Sequence, residues 1–483
     1  MTTLMTPLLR SASIAVLALA AVGCTPPPTA IDPKVDLPAN FTAPRSEAVQ
    51  AAQEWPAVDW WKGFGADELS ALQETAKAAN PDINIALNRL TIAQASTGSA
   101  FAPLLPSVSG SLGATRRGPN DGANGATTNS TSASVSASYS LNLFGREIDQ
   151  LRAARESQRS ALYTYGFTSL TVSQSVANAY FNILSIRQRL EYARQNIENA
   201  ERVLKIVEAK VANGVSDNLA LASQQASVAG QRSTVPQLEE QEREARYALA
   251  ILLGRMPENF DIVGKNLDDI TPPAVQPGLP TQLLTRRPDV AAAEANLRAQ
   301  HANVDAARAA FFPSLSLTAS DGSSAGPGLA LFNPTTLAWS VGLSLAQTIF
   351  DGGRLHYASA TQRANERIQI TTYRNIVFTA LSDVETQLGQ VNSTTLTLGY
   401  VTEQVRAQTE AYRIAELQYR EGVTDLTSLL QAQNNLFAAR TALVTTKQSR
   451  LTAAVGLFRS LGGGWTMENA DNSQVDAVGW SPL

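Results

Sequence analysis

The chain repeats itself at a spacing of about 207 residues, and this duplication limits the folds open to it. Ten of the 31 positions from Pro81 to Ser111 are identical to the positions 207 residues later. Further on, the tetrapeptide GVSD at 214–217 matches GVTD at 422–425 at an offset of 208. Because Gly, Pro and Asp recur in the same order, we predict two copies of one structural unit.

Each copy is predicted to contain the same elements in the same order. Proline cannot continue a helix, so Pro106 and Pro313 mark the end of the first helix in each copy. The predicted elements are a first helix (about 66–103 and 281–311), two strands (106–116 and 131–144; 313–320 and 337–350), a long helix (147–212 and 355–420), a break at Gly214 or Gly422, and a last helix running to Gly254 or Gly462. At 1.5 Å per residue, each long helix would reach about 100 Å, which is too long for a compact domain.

The predicted strands have two different faces. In the segment 132–143, SASVSASYSLNL, serine or asparagine alternates with an apolar residue throughout. In segment 339–346, large apolar residues alternate in the same way with serine or small residues: Trp339, Val341, Leu343 and Leu345 against Ser340, Gly342, Ser344 and Ala346. Segments 122–145 and 322–350 contain no charged residue. About ten alternating residues can cross a bilayer as a tilted strand, although a soluble half-buried sheet would alternate as well. An open sheet edge in hydrocarbon costs several kcal/mol per unpaired backbone group, so four strands require partner chains, and three copies would supply twelve strands.

The N-terminus has the features of an export signal. Arg10 precedes a short apolar stretch that ends in Ala-Ala-Val-Gly-Cys. Small residues before the single cysteine, Cys24, resemble the bacterial lipobox, in which the cysteine is acylated and becomes the first residue of the mature chain. We therefore expect a signal peptide at 1–23 and a lipid on Cys24. The alternative is a plain signal peptide with an incidental cysteine. Thr25, which directly follows Cys24, favours delivery to the outer membrane.

The composition argues against several function classes. With 38 basic and 42 acidic residues the net charge is −4, which gives no reason to expect nucleic acid as a partner. One cysteine excludes an intrachain disulfide, and neither His301 nor His356 has a second ligand at metal-binding spacing. No nucleophile elbow or phosphate loop occurs. We therefore expect that the protein is not an enzyme, and that it binds no metal and no cofactor apart from the lipid.

Three segments carry a resemblance to a known family. Residues 283–320, residues 436–465 and the motif DWWKGF at 59–64 resemble the TolC family of outer-membrane efflux channels, and more closely its NodT/OprM-type lipoprotein branch. The resemblance implies a membrane α+β fold: an internally duplicated subunit with four β-strands and long helices, which trimerises into a twelve-stranded β-barrel on an α-helical periplasmic barrel. It also implies a lipid-anchored outer-membrane protein that extends into the periplasm. Its partners would be a periplasmic membrane-fusion adaptor and an inner-membrane pump, often of the resistance-nodulation-division (RND) type. The chain itself would be a passive conduit for small molecules.

The resemblance also places a gate at the periplasmic end, where helix pairs reverse direction. The reversals are predicted at Gly214 and Gly422, since glycine adopts positive φ without a Cβ clash. Asp217 and Asp425 follow at equivalent positions; they either cap the last helices or form a ring of six carboxylates in a trimer. Tyr419 occupies the family position of a gate tyrosine, with Arg413 and Arg420 as candidate partners for the carboxylates. Many relatives have an aspartate where this chain has Ala220.

The predicted organisation follows from these segments. It comprises a signal peptide at 1–23, a lipid-anchored tether at 24–65, the first repeat at 66–254, a linker at 255–280, the second repeat at 281–462 and a C-terminal tail at 463–483. A secreted or surface coiled-coil protein without a pore would explain the helices, but not the matched, charge-free strands. A periplasmic adaptor would require a lipoyl-like β pattern, which the sequence does not show.

Overall fold

The structure, a computed structural model, describes residues 35, 37–43, 57–118, 127–273, 278, 280–325 and 337–465. Cys24, the signal peptide, most of the tether, part of both strand-connecting loops and most of the C-terminal tail lie outside these residues. The chain divides into two compact units. The described part of unit 1 comprises residues 90–118, 127–161, 293–325 and 337–374, and that of unit 2 comprises 35, 37–43, 57–89, 162–273, 278, 280–292 and 375–465.

The duplication predicted from the sequence is confirmed. The first repeat contains helices α1 (Asp67–Ala79) and α2 (Pro81–Phe101), strands β1 (Ser107–Arg117) and β2 (Thr128–Leu141), and helices α3 (Arg146–Ala212) and α4 (Asn218–Leu252). The second contains α5 (Leu283–Arg286), α6 (Pro288–Ala309), β3 (Ser314–Ala325), β4 (Leu337–Ala346), α7 (Arg354–Arg420) and α8 (Leu426–Ser460). Both ends of α3 and of α4 are offset by 208 residues from the corresponding ends of α7 and α8. A short 3₁₀ helix, Trp60–Phe64, precedes the first repeat.

The first helix of each repeat is not continuous, and here the prediction was wrong. The helical stretch breaks at Asn80 in one copy and at Arg287 in the other, each directly before a proline. Proline disfavours the helical conformation in the residue before it but is well accommodated as the first residue of a helix. Pro81 and Pro288 therefore start α2 and α6 instead of lying inside longer helices.

In both repeats, a side-chain hydrogen bond connects this break to the C-terminal end of the last helix. The Asn80 side-chain amide donates to the carbonyl of Leu252, at the C-terminal end of α4, over 2.7 Å. At the equivalent position, the Arg287 guanidinium donates to the carbonyl of Ser460, at the end of α8, over 3.1 Å. The second copy adds charge, since Arg287 also binds the carboxylates of Asp289 (2.7 Å) and Asp383 (3.1 Å) while remaining 3% exposed. Together these charge-assisted bonds satisfy a buried guanidinium.

Unit 1 contains a four-stranded antiparallel sheet in the order β1-β2-β3-β4. The pairing of β2 with β3 joins the two repeats, and it places Ala137 opposite Ala319. Strands β1 and β4 form the two edges of the sheet. The register fixes which residues share a face, because side chains alternate along each strand.

Unit 2 has a large apolar core that gathers the start and the end of the described chain. Trp60 stacks on Phe458 of α8 with ring centroids 5.3 Å apart, and Phe64 packs against Phe181 of α3 at 5.5 Å. These four side chains are all almost completely buried. The DWWKGF motif is thus a packing motif that fixes the N-terminal segment to α3 and α8. None of the described helices combines the length and the apolar character needed to span a membrane.

Candidate functional site

One face of the sheet is covered with hydroxyl groups. Cross-strand serine pairs lie within hydrogen-bond distance on both hairpins: Ser107–Ser138 (2.8 Å), Ser109–Ser136 (2.9 Å), Ser111–Ser134 (2.8 Å), Ser316–Ser344 (2.6 Å) and Ser320–Ser340 (2.8 Å). Within the described part of the sheet, Arg117, at the loop end of β1, is the one charged residue that the register places on this face. The serine positions of the alternating pattern thus form one continuous polar surface.

The opposite face is apolar and exposed. Rows of paired residues cross all four strands; one row contains Val108, Ala137, Ala319 and Val341. Trp339, Val341, Leu343 and Leu345 on β4 each expose more than half of their surface. At the helix-proximal end of the sheet, Phe144 and Phe312 stack with centroids 4.8 Å apart and planes inclined by 11°. An exposed apolar surface of this extent marks an interaction with lipid or protein.

Asp321 is an exception on the apolar face. The register pairs it with Val135 on one side and Trp339 on the other, so its carboxylate shares their face. The residue lies just before the charge-free segment that starts at 322, and the sequence analysis did not assign it to either face.

The helix pairs of unit 2 reverse direction at two matching turns, which we call the tip turns (213–217 and 421–425). Gly214 has φ +73° and Gly422 has φ +75°. In the first turn Val215 N donates to the carbonyl of Lys210 (2.8 Å), and in the second Val423 N donates to that of Gln418 (2.8 Å). These are Schellman endings, in which glycine accepts the left-handed conformation. Both glycines therefore end a long helix, and their part in a gate stays a prediction.

Asp217 and Asp425 cap the helices that follow the tip turns. The Asp217 carboxylate accepts from the backbone N of Ala220 over 2.8 Å, and that of Asp425 accepts from Ser428 N over 2.7 Å. The bond from Ser428 lowers the pKa of Asp425 below its usual value, because it stabilises the ionised form. Both residues are exposed. The capping role therefore exists in the single chain, and it leaves each carboxylate accessible.

The remaining gate candidates are not brought together in one chain. Tyr419 is 5% exposed and packs in a small apolar cluster with Val203, Val207, Tyr412, Leu426, Leu429 and Leu436. Arg413 instead binds Glu410, one turn earlier on α7, over 2.7 Å. Arg420 is exposed as the last residue of α7. Within the single chain, Arg413 thus forms an exposed ion pair on its own helix and is not a partner of Asp425.

The sequence analysis missed two side-chain contacts, one in each unit. Lys210, on the last turn of α3, donates to the carbonyl of Tyr419 on α7 over 2.6 Å. In unit 1, His301 contacts the Glu366 carboxylate over 2.6 Å. Among the described residues, no group of three or more His, Cys, Asp and Glu side chains could hold a metal ion.

Comparison with known proteins identifies the family. The family model described as outer membrane efflux protein matches residues 72–255 and 279–463, one match in each repeat. The chain belongs to the outer membrane efflux protein family. A curated member, the pyoverdine export outer membrane protein OpmQ of Pseudomonas aeruginosa, is 35% identical over 475 residues, covering 96% of this chain and 98% of the relative.

Solved structures of outer membrane efflux proteins agree with the fold. The outer-membrane channel OprN matches with a TM-score of 0.80 at 28% identity, covering 89% of this chain and 99% of that one. The open state of the Neisseria gonorrhoeae MtrE outer membrane channel matches with a TM-score of 0.79 at 26% identity, covering 91% and 98%. The predicted function is confirmed at this level: the chain is the outer-membrane channel component of a tripartite efflux system. It works with a periplasmic adaptor and an inner-membrane pump.

Proposed function

We propose that three copies of this chain close their sheets into one twelve-stranded β-barrel in the outer membrane, and that the barrel is a passive exit duct. The observation that carries the proposal is the two-faced sheet with open edges. Its hydroxyl face offers hydrogen bonds to water, and its apolar face matches hydrocarbon. Pairing β1 of one copy with β4 of the next would satisfy the backbone groups that each chain leaves open.

The same sheet supports a proposal for the cargo. A lining of serine hydroxyls, uncharged over most of its described length, neither binds ions strongly nor repels them. Such a lining suits a conduit for water-soluble small molecules of varied charge, with selection left to the pump. OpmQ, by its name, exports pyoverdine, which is one such cargo for a relative. The chain would carry out no reaction, since the energy for transport belongs to the pump.

The tip turns are proposed to form the narrow periplasmic mouth. Asp217 and Asp425 are exposed, equivalent by the repeat and placed at the same helix start in each copy. Three chains would bring six carboxylates together, and a ring of like charges attracts cations. The MtrE structure is described as an open state, which supports a channel that opens and closes.

Conductance measurements test the conduit and its mouth together. Purified protein should run as a heat-sensitive trimer and give stepwise conductance in planar bilayers, with a reversal potential that favours cations. The double substitution Asp217→Asn and Asp425→Asn should abolish most of this preference. Asparagine caps a helix about as well as aspartate, so only the charge is removed.

Two results would count against these proposals. Monomers that form no conductance steps would refute the conduit. Stepwise conductance with unchanged cation preference in the double variant would limit the two aspartates to helix capping and move the selective constriction elsewhere.

The lipid anchor is a separate proposal. Cys24 follows small residues at the end of the export signal and lies outside the described residues. We expect mass spectrometry of the mature protein to find acyl chains on Cys24 at the N-terminus, and Cys24→Ser to block removal of the signal by the lipoprotein route. An unmodified N-terminus at another residue would contradict the proposal. Transport through the channel should survive the substitution, because a closed barrel would stay in the membrane without a lipid anchor.

A further inference from the structure

The last turns of the two long helices are tied together by one lysine. Lys210 Nζ lies 2.6 Å from the main-chain carbonyl oxygen of Tyr419 and 4.3 Å from the centroid of the Tyr419 ring. The ammonium group thus makes a charge-assisted hydrogen bond and a cation–π contact with the same residue. Both contacts join α3 to α7, and both lie within five residues of a tip turn.

The Tyr419 hydroxyl takes no part in this tie. Its oxygen is buried and has no hydrogen-bond partner among the described residues. Because the oxygen is enclosed by its own chain, a second copy of the chain cannot reach it. Ala220, the residue at the position where many relatives have an aspartate, has no side-chain acceptor to offer. The contact between the helices therefore uses the carbonyl and the ring face of Tyr419.

The position of the lysine makes the bond favourable. The last four carbonyl groups of a helix have no partner within that helix, and the helix dipole places partial negative charge there. Tyr419 is the penultimate residue of α7, and its carbonyl also accepts from Gly422 N over 3.2 Å. The ammonium of Lys210 adds a positive charge to this end of α7.

Although the chain is duplicated, the contact between Lys210 and Tyr419 has no counterpart of the same chemistry at the equivalent positions. The repeat equivalent of Lys210 is Gln418, and that of Tyr419 is Val211, so the reciprocal pair has neither the ammonium nor the aromatic ring. Nearer the middle of the helices, Arg202 and Glu416 approach only to 3.8 Å and are partly exposed, which makes a weaker link. Within the part of the chain that the structure describes, Lys210 thus makes a short polar contact between the two helix pairs beside the tip turns.

We propose that Lys210 is the latch that holds the two helix pairs of each subunit together in the closed channel, and that it acts through the carbonyl and ring of Tyr419 rather than through the hydroxyl. The proposal rests on the proposed conduit and its mouth. In this proposal the mouth widens as the ends of α3 and α7 separate, which breaks both contacts of the lysine. Lys210 is a positioning residue, since it sets the balance between closed and open states without meeting the cargo.

The test compares four variants of the purified full chain in planar bilayers. Lys210→Met removes the charge and the hydrogen bond while keeping an apolar stem, and we expect the open probability to rise roughly tenfold, as loss of a charge-assisted bond predicts. Lys210→Arg keeps a cation and should stay close to wild type. Tyr419→Phe removes only the unpartnered hydroxyl and should leave the channel closed. Lys205→Met is the matched control, because Lys205 is an exposed lysine on the same helix.

The outcomes separate the latch from the conduit. Heat-sensitive trimers that conduct, but show the same open probability for Lys210→Met as for wild type, would overturn the latch and leave the conduit standing. Opening by Tyr419→Phe as large as that by Lys210→Met would also overturn it, because the hydroxyl would then be the tie. An absence of trimers and of conductance in all proteins, wild type included, would instead refute the proposed function.

Discussion

Arginine in place of Leu343 should prevent most of the protein from reaching the outer membrane as a trimer. Leu343 is 66% exposed and lies on the apolar face of β4, paired with Leu317. An arginine on the lipid face of a membrane barrel costs about 2–4 kcal/mol near the bilayer midplane, and a trimer would contain three of them. The measurement is the fraction of heat-sensitive trimer in isolated outer membranes, compared with wild type at equal expression.

The adjacent residue supplies the control. Ser344 lies on the hydroxyl face, where its side chain contacts that of Ser316 over 2.6 Å. Ser344→Arg should lose only this cross-strand contact, worth about 0.2–1 kcal/mol, and should assemble. Equal losses for both variants would mean that the apolar face does not meet lipid. Val135 is a poorer test site on the same face, because an arginine there lies opposite the carboxylate of Asp321.

Gly462→Ala should strongly destabilise the folded chain. Gly462 has φ +90°, and a Cβ built there lies 2.1 Å from the carbonyl oxygen of Arg286. The contact is with backbone, so it cannot be relieved by rotating a side chain. The left-handed conformation costs roughly 1–2 kcal/mol for a non-glycine residue, and forced overpacking adds about 1–3 kcal/mol. We expect a clearly lower midpoint of thermal unfolding in detergent and little properly assembled protein.

Gly422 is a matched control for this substitution. It occupies the same position in a Schellman ending and has φ +75°, but a Cβ there has no atom within 4 Å. Gly422→Ala should therefore show only the conformational cost. In the first repeat, Gly254→Ala and Gly214→Ala form a second pair of this kind, since a Cβ on Gly254 would lie 2.3 Å from the carbonyl oxygen of Ala79 and one on Gly214 would have no neighbour. Equal decreases in the unfolding midpoint for the two variants of either pair would show that the close approach of Cβ to a carbonyl oxygen does not affect stability.

The parts of the fold that depend on local signals could be predicted from the sequence. Helix α3 was predicted at 147–212 and observed as Arg146–Ala212, because Gly214 ends it by a local conformational preference. The two faces of the strands follow from alternation, which needs no knowledge of the partner strand. Even the break before Pro288 has a local signal, since proline favours the first position of a helix.

The parts that depend on tertiary contacts could not be predicted in this way. Lys210 and Tyr419 are 209 residues apart, and neither the repeat nor the composition singles out this lysine. Arg287 was quoted as part of a family motif, but its bonds to Asp383 and Ser460 bridge 96 and 173 residues. The pairing of β2 with β3 is of the same kind, because alternation assigns faces but does not choose neighbours.

The pairing of β2 with β3 inside one chain also has a consequence for evolution. A ring of six identical half-length subunits could form the same kind of assembly, but symmetry would force all six helix pairs to change together. Fusing two halves into one gene frees each half to mutate alone. The result is visible where Asn80 corresponds to Arg287, and Lys210 to Gln418. In the proposed trimer, two kinds of helix pair would alternate around the threefold axis, so that one kind could stay in place while the other moves outward.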